Sequence, residues 1–103
     1  MAKRMLPISM ETEALLRATI AKNGERHQTI KAAEEFSEAS AAISRHLNGY
    51  CELSEVALEL ADTLVVGWEL CLIHPELRKM IEQGIEYKLE RLAKTIDYGK
   101  EPL

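Results

Sequence analysis

The sequence has few of the residues that are typical of strand-rich, disulfide-bonded or glycine-rich proteins. Its 103 residues include five glycines, three prolines, two cysteines and 5% aromatic residues. Alternation of apolar and polar residues is scarce, and no internal repeat or low-complexity tract is visible. Cys51 and Cys71 do not form a C-x-x-C motif, and nothing near Met1 resembles a secretory signal. We therefore expect a helical protein in a reducing cytoplasm.

The sequence also lacks clusters of basic residues and long apolar runs. Thirteen Lys and Arg against 17 Asp and Glu give a formal net charge of −4, which argues against a surface for nucleic acid. The longest apolar stretch, 64–73, is interrupted by Glu69 and is shorter than the roughly 20 residues of a membrane-spanning helix. These absences favour a small-molecule partner and predict neither nucleic-acid nor membrane binding.

Length and composition predict one helical domain. With 47% hydrophobic and 29% charged residues, the chain fits a single soluble globular domain. We expect one all-α domain over 1–103, built as a four-helix bundle-like protomer, with loose tails at 1–8 and 100–103. The first predicted helix has Ser9 as its N-cap and ends at Asn23–Gly24, and the second runs over about 25–47. The third has Ser54 as its N-cap and ends near Ile73. The fourth has Pro75 in its first turn and fades at 97–99.

The third predicted helix is apolar around nearly its whole circumference, which in a small protein requires cover from several neighbours. A 103-residue protomer does not supply that cover, so we expect a homodimer or homotetramer. The side of this helix opposite Glu59 and Asp62 is the expected contact, through Leu64, Trp68 and Ile73. The second helix is expected to bury an apolar stripe of Ile30, Ala33, Phe36, Ala39, Ile43 and Leu47.

Two acidic motifs stand on the second and third predicted helices. Residues three apart share a helix face, so Glu35 and Glu38 project together, as do Glu59 and Asp62. Their neighbours are mostly apolar or small, and burying several like charges together is unfavourable unless a cation neutralises them. Because no Cys or His stands at ligand spacing beside them, oxygen ligation predicts Mg²⁺ or Mn²⁺ as the cation.

These motifs, E-E-x-x-E over 34–38 and E-x-x-D over 59–62, resemble those of the all-α nucleoside triphosphate pyrophosphohydrolases of the MazG type. An upstream N-G-x-x-x-Q-x-x-K over 23–31 extends the resemblance to roughly 23–62, with a weaker continuation to Arg91. The resemblance implies Mg²⁺-dependent hydrolysis of a nucleoside or deoxynucleoside triphosphate to the monophosphate and diphosphate, which cleans or adjusts the nucleotide pool. Small members of the family assemble as dimers or tetramers.

The resemblance also implies roles for particular residues. Glu34 or Glu38 is the expected catalytic acid that orients or deprotonates the attacking water. The family often has an Asn shortly before the Lys of its last helix, whereas Glu86 and Tyr87 stand there in this chain. The implied metal ligands are Glu35, Glu38, Glu59 and Asp62, and the implied substrate-binding residues are Gln28, Lys31, Lys88 and Arg91.

Several alternatives stay open from the sequence. Lys31 fits an ion pair with Glu35 at least as well as a phosphate contact, and Gln28 fits a helix face as well as the substrate. Glu34 fits a second metal or a surface ion pair. A phosphoribosyl-ATP pyrophosphohydrolase of histidine biosynthesis is the nearest rival enzyme, although the Leu-Tyr-His run of that branch is replaced here by residues 63–66, Thr-Leu-Val-Val. A helical module that binds another protein without catalysis is the rival from a different class.

Overall fold

The computed structural model describes residues 6–96, and within this range the chain forms four α-helices and no strand. This confirms the predicted all-α class. The predicted tail at 100–103 and the predicted end of the last helix at 97–99 lie outside the described residues. The helices are α1 (Met10–Asn23), α2 (Glu25–Leu47), α3 (Leu53–Ile73) and α4 (Leu77–Ile96).

The ends of α1 agree with the capping residues in the sequence. The Ser9 hydroxyl accepts a hydrogen bond from the Thr12 backbone N–H at 3.0 Å, which satisfies one of the free donors of the first turn. Gly24 ends α1 at a φ of 96°, a conformation that L side chains rarely adopt, and its N–H donates to the Ile20 carbonyl. This single residue separates α1 from α2.

The starts of α3 and α4 differ from the prediction. Helix α3 begins at Leu53 with Glu52 as its N-cap, and no side chain caps it, so Ser54 lies inside the first turn. Helix α4 begins at Leu77, and Pro75 stands in the preceding turn rather than in the helix. Both errors are a displacement along the chain by less than one helical turn, as expected when a helix end is inferred from local residues alone.

Helices α2 and α3 form an antiparallel hairpin, and their packing is the most extensive in the protomer. Each contributes one stripe of buried residues spaced three, four or seven apart, which is the spacing of two helices in lengthwise contact. Small side chains dominate the stripe of α2, so the two backbones approach closely. The buried residues of the stripes are Gln28, Ala32, Ala39 and Ala42 on α2, and Val56, Thr63, Val66 and Glu69 on α3.

The prediction that α2 buries its apolar stripe is wrong for the protomer. Among its members only Ala39 is buried, and Ile30, Phe36, Ile43 and Leu47 are exposed. The physical reason is that α2 turns its alanine-rich face to α3, so the large apolar residues occupy the adjacent faces. These faces have no cover within the described part of the protomer.

A second buried cluster joins α1 to the last turns of α3. Leu6, Leu16, Cys71 and Leu72 are buried together, and Trp68 packs against them. Leu6 is only 3% exposed, so the predicted loose tail over 1–8 does not extend to this residue; residues 1–5 lie outside the described range.

Helix α4 packs against α3 alone and has no buried residue. Every side chain from 85 to 96 is exposed, including large apolar ones. No helix in the described range combines the length and the apolar character that a membrane span requires. Helix α4 thus leaves an apolar face open in the isolated protomer.

The conformation of Gly24 generates a stability prediction. A Cβ at this position meets no atom within 4 Å, so the strain of Gly24→Ala comes from the backbone alone. We expect Gly24→Ala to lower the free energy of unfolding by about 1–3 kcal/mol in urea denaturation. Gly84→Ala is the matched control, because Gly84 also has open space at Cβ but lies within α4; there Ala is expected to be neutral or to stabilise by up to about 1 kcal/mol. Equal effects of the two changes would contradict the argument.

Candidate metal centre

The acidic motifs meet on the seam between α2 and α3. Glu35, Glu38 and Glu59 each offer a carboxylate oxygen, and these oxygens all lie within 4.8 Å of one another. Glu35 and Glu59 interrupt the stripes of alanine, valine and threonine described above, so the antiparallel packing of the two helices forces their carboxylates together. The structure therefore brings together three of the four predicted metal ligands.

Two oxygens of this cluster are left without hydrogen-bond partners. Oε2 of Glu35 and Oε2 of Glu59 are both buried, and within residues 6–96 neither accepts a hydrogen bond. A buried oxygen that accepts nothing destabilises the protein by about 1–3 kcal/mol, and more when it is charged. A hard cation would satisfy both oxygens at once, and carboxylate oxygens are among the donors that suit Mg²⁺ and Mn²⁺. The residues present thus fit such an ion.

The electrostatics of Glu35 show the cost of the arrangement. Burial raises the pKa of Glu35 above its ordinary value, and the negative charges of Asp62 and Glu38 raise it further. Lys31 opposes these effects and lowers the pKa. The metal-free cluster therefore holds a proton more readily than separate carboxylates would, because like charges lie close together where they are partly buried.

Lys31 occupies the ion-pair position that the sequence favours. Its Nζ lies 3.7 Å from Oε1 of Glu35, one turn further along α2. The lysine side chain is half exposed, whereas the side chain of Glu35 is only 13% exposed. Lys31 therefore partly neutralises the acidic cluster from its solvent side, and its predicted contact with a substrate phosphate stays a prediction.

Asp62 and Glu34 lie at the margin of the cluster. Asp62 is exposed and does not belong to the three-oxygen group, but its charge acts on Glu35, so the two are near neighbours across the seam. Glu34 is exposed and lies one position off the Glu35 face of α2. Asp62 is a predicted metal ligand and Glu34 a predicted catalytic acid. Their predicted roles stay predictions.

Gln28 is placed differently from a simple substrate ligand. It is 2% exposed, its Nε2 donates to Oε1 of Glu69 at 3.0 Å, and its Oε1 accepts from Nδ2 of Asn23 at 3.0 Å. In the sequence, Glu69 stands out only as the charged residue that interrupts the apolar stretch 64–73, and no motif predicts this bond. The available signal was the helical spacing, because Gln28 and Glu69 fall on the same two stripes as the buried alanines and valines of α2 and α3.

The predicted phosphate-binding pair lies elsewhere in the protomer. Lys88 and Arg91 are exposed on the second half of α4, and α4 does not pack against α2. Nζ of Lys88 and Cζ of Arg91 lie 5.7 Å and 5.8 Å from the centre of the Tyr87 ring, which is within the range of a cation–π contact. The protomer does not pack this pair against the acidic cluster.

Comparisons of the chain with protein-family models, with curated proteins and with solved structures gave no match. The motif resemblance therefore stays a prediction, and function has to be argued from the geometry of the site.

The raised pKa of Glu35 generates a prediction about the metal-free protein. A carboxyl with a raised pKa in the folded state stabilises the fold most at low pH, and this contribution is lost as pH rises through the raised pKa. Glu35→Gln is therefore expected to raise the free energy of unfolding near pH 7, and the gain is expected to vanish as pH falls toward 4.5, the ordinary pKa of the group. Urea denaturation of both proteins in EDTA at several pH values measures this difference in the free energy of unfolding.

The control for this prediction is Glu82→Gln. Glu82 also has an ion pair one turn away, with Arg78 at 3.1 Å, but its side chain is 63% exposed and it is outside the acidic cluster of Glu35, Glu38 and Glu59. Loss of this ion pair in Glu82→Gln is expected to lower the free energy of unfolding by at most about 0.5 kcal/mol. A Glu35→Gln variant that is less stable than Glu82→Gln near pH 7 would show that the ion pair with Lys31 outweighs the repulsion.

Proposed function

We propose that the chain is a metal-dependent nucleoside triphosphate pyrophosphohydrolase of the MazG-like type. It would hydrolyse a nucleoside or deoxynucleoside triphosphate to the monophosphate and diphosphate. The observation that carries the proposal is the convergence of Glu35, Glu38 and Glu59 on one seam. Buried oxygens of Glu35 and Glu59 there have no hydrogen-bond partner among the described residues. The motif spacing supports the same function.

The chemistry follows from what these side chains hold in place. Glu35, Glu38 and Glu59, with Asp62 at the margin, would hold Mg²⁺ or Mn²⁺, which when bound neutralises triphosphate charge and polarises phosphorus. Water adds to the α-phosphorus, the bond from that phosphorus to the α–β bridging oxygen breaks, and diphosphate leaves with the electron pair.

Two residues are candidates for handling the proton of the attacking water. Glu38 lies in the cluster and is exposed, so its carboxylate reaches both the ligand oxygens and solvent. Glu34 is exposed on the adjacent face of α2. A carboxylate at either position accepts a hydrogen bond from water and aligns it, and then takes up its proton as the new phosphorus–oxygen bond forms.

Cationic side chains would offset the remaining charge of the triphosphate. Lys31 stands beside the cluster already, and a bound cation would release it from Glu35 to reach a phosphate. Lys88 and Arg91 present two positive charges in the exposed half of α4. For these two residues to contact the substrate, α4 would have to lie close to the acidic cluster, which it does not do in the isolated protomer.

The exposed apolar faces support assembly of identical chains. A groove of about 520 Å³ lies between α3 and α4, and Leu64, Ile81 and Ile85 in its lining are exposed. Contiguous exposed apolar surface of this kind is typical of an interface. Pairing of two copies is the commonest way to cover it, and homodimerisation is the simplest form of the proposed homo-oligomer.

The proposed activity is tested with a panel of nucleoside and deoxynucleoside triphosphates at saturating Mg²⁺, with products identified by ³¹P NMR. We expect diphosphate and monophosphate, and no orthophosphate. Glu38→Gln and Asp62→Asn are each expected to lower kcat/KM by at least about 100-fold, because even residues that only support metal ligands contribute 10- to 100-fold. Glu90→Gln, an exposed acid on α4, is the control and should retain full activity.

Metal binding is measured separately, by the melting temperature with increasing Mn²⁺. Wild-type protein is expected to be stabilised in proportion to the logarithm of metal concentration once the site is filled, and Glu38→Gln much less. A helical protein-binding module without catalysis would show neither this stabilisation nor diphosphate release. Full activity in both acid variants would contradict the assigned ligands.

The proposed assembly is tested by light scattering coupled to size exclusion. We expect a mass of at least twice 11.6 kDa at micromolar concentration. Leu64→Glu is expected to lower it, because Leu64 is 60% exposed in the groove and the change removes no protomer core. Leu47→Glu, exposed at the end of α2 outside the groove lining, is the control. Trp68 is unsuitable for this substitution because it packs on the buried cluster. A stable monomer that hydrolyses nucleotides would contradict the proposed assembly.

A further inference from the structure

A chain of three polar side chains links α1, α2 and α3 at one end of the hairpin. Asn23 donates to Gln28, and Gln28 donates to Glu69, with donor–acceptor distances of 3.0 Å in both bonds. Gln28 and Glu69 are 2% and 3% exposed. A buried carboxylate loses its hydration, so this arrangement is less favourable for stability than an apolar pair of similar size. It requires a reason other than stability.

The rest of the seam does little to fix how α2 lies along α3. The other buried residues include Ala32, Ala39 and Ala42 on α2 and Val56 and Val66 on α3, and contacts between apolar side chains are not directional. The acidic layer acts against the observed position, because it brings Glu35 and Glu59 together without partners for two of their oxygens. Sliding or rotation would relieve that repulsion.

Hydrogen bonds oppose such a movement because they are directional, whereas apolar contacts are not. A donor–acceptor pair weakens steeply when its distance or angle changes, so the bond from Gln28 to Glu69 specifies one axial position and one rotation. The opposite end of the hairpin is held by the short connection, where the Cys51 thiol donates to the Ala42 carbonyl at 3.5 Å. The carboxylate cluster lies between these two anchored ends.

We propose that Asn23, Gln28 and Glu69 are positioning residues that hold the carboxylates of α2 and α3 in register for a divalent cation. This inference rests on the proposed metal-dependent function. It assigns to Glu69 a task that needs no contact with the ion, and it explains why a carboxylate is retained in a buried stripe. A buried polar pair that fixes helix register at the expense of stability is a known use of such residues.

The proposal predicts that stability and metal affinity change in opposite directions. The double variant Gln28→Leu/Glu69→Leu replaces the polar pair by apolar side chains of similar size and removes the buried carboxylate. In EDTA it is expected to be at least as stable as wild type in urea denaturation. Its affinity for Mn²⁺, measured by isothermal titration calorimetry, is expected to fall by at least about 10-fold, which is the effect of losing groups that orient ligands.

A conservative variant separates positioning from charge. Glu69→Gln still accepts a hydrogen bond from Gln28 through its amide oxygen, but it carries no charge. Its Mn²⁺ affinity is expected to stay within about threefold of wild type. A loss of affinity as large as that of the double variant would show that the charge of Glu69, rather than its bond, matters, and would overturn the proposal.

Register itself is read from the distance between two spin labels. Arg26→Cys on α2 and Glu55→Cys on α3 are exposed positions near opposite ends of the hairpin, and Cys51→Ser and Cys71→Ala remove the other thiols. Labelled protein is diluted with unlabelled protein so that only pairs within one chain contribute. In the double variant without metal we expect a broader distribution, displaced by up to about 5 Å, one helical turn.

The outcomes separate this proposal from the one on which it rests. If wild type does not bind Mn²⁺, the proposed function fails, and the label distances still decide whether the polar chain fixes register. If wild type binds and the double variant binds equally well, or keeps the same narrow distance, the positioning role is overturned. An unfolded double variant also overturns it, because the polar chain would then be required for folding as such.

Discussion

Repulsion among carboxylates on the seam between α2 and α3 is the constraint on which the remaining structure depends. Two helices that pack through alanine and valine place Glu35, Glu38 and Glu59 within a few ångströms of one another, and burial raises the pKa of Glu35. A seam of this kind is unfavourable by itself. The ion pair of Lys31 and the stability of the surrounding packing have to offset it whenever no cation is bound.

The sequence predicted the helices and the acidic face of each helix well, because both depend on local patterns. Ser9 and Gly24 mark the ends of α1 through their own chemistry, and the three-residue spacings fix which carboxylates share a face. That the two acidic faces meet required one further fact, the antiparallel packing of α2 against α3, which the short connection favours.

What the sequence did not predict depends on competition between faces. Helix α2 carries both an apolar stripe with Phe36 and an alanine stripe with Ala39 and Ala42, and hydrophobicity alone favours the larger side chains for burial. The structure instead buries Ala39 and Ala42, and Phe36 stays exposed. The same choice buries Gln28 against Glu69, a pair 41 positions apart that no local pattern identifies.

The lack of buried residues in α4 has a consequence for the order of folding. Helices α1, α2 and α3 share two buried clusters and form within one chain, whereas α4 gains few contacts there. Most of the stability of a helix in a protein comes from tertiary packing, so α4, which has no buried residue, is expected to be the segment that opens most often in a single chain. Its order then depends on encounter with a second surface, and refolding would end in a step whose rate rises with protein concentration.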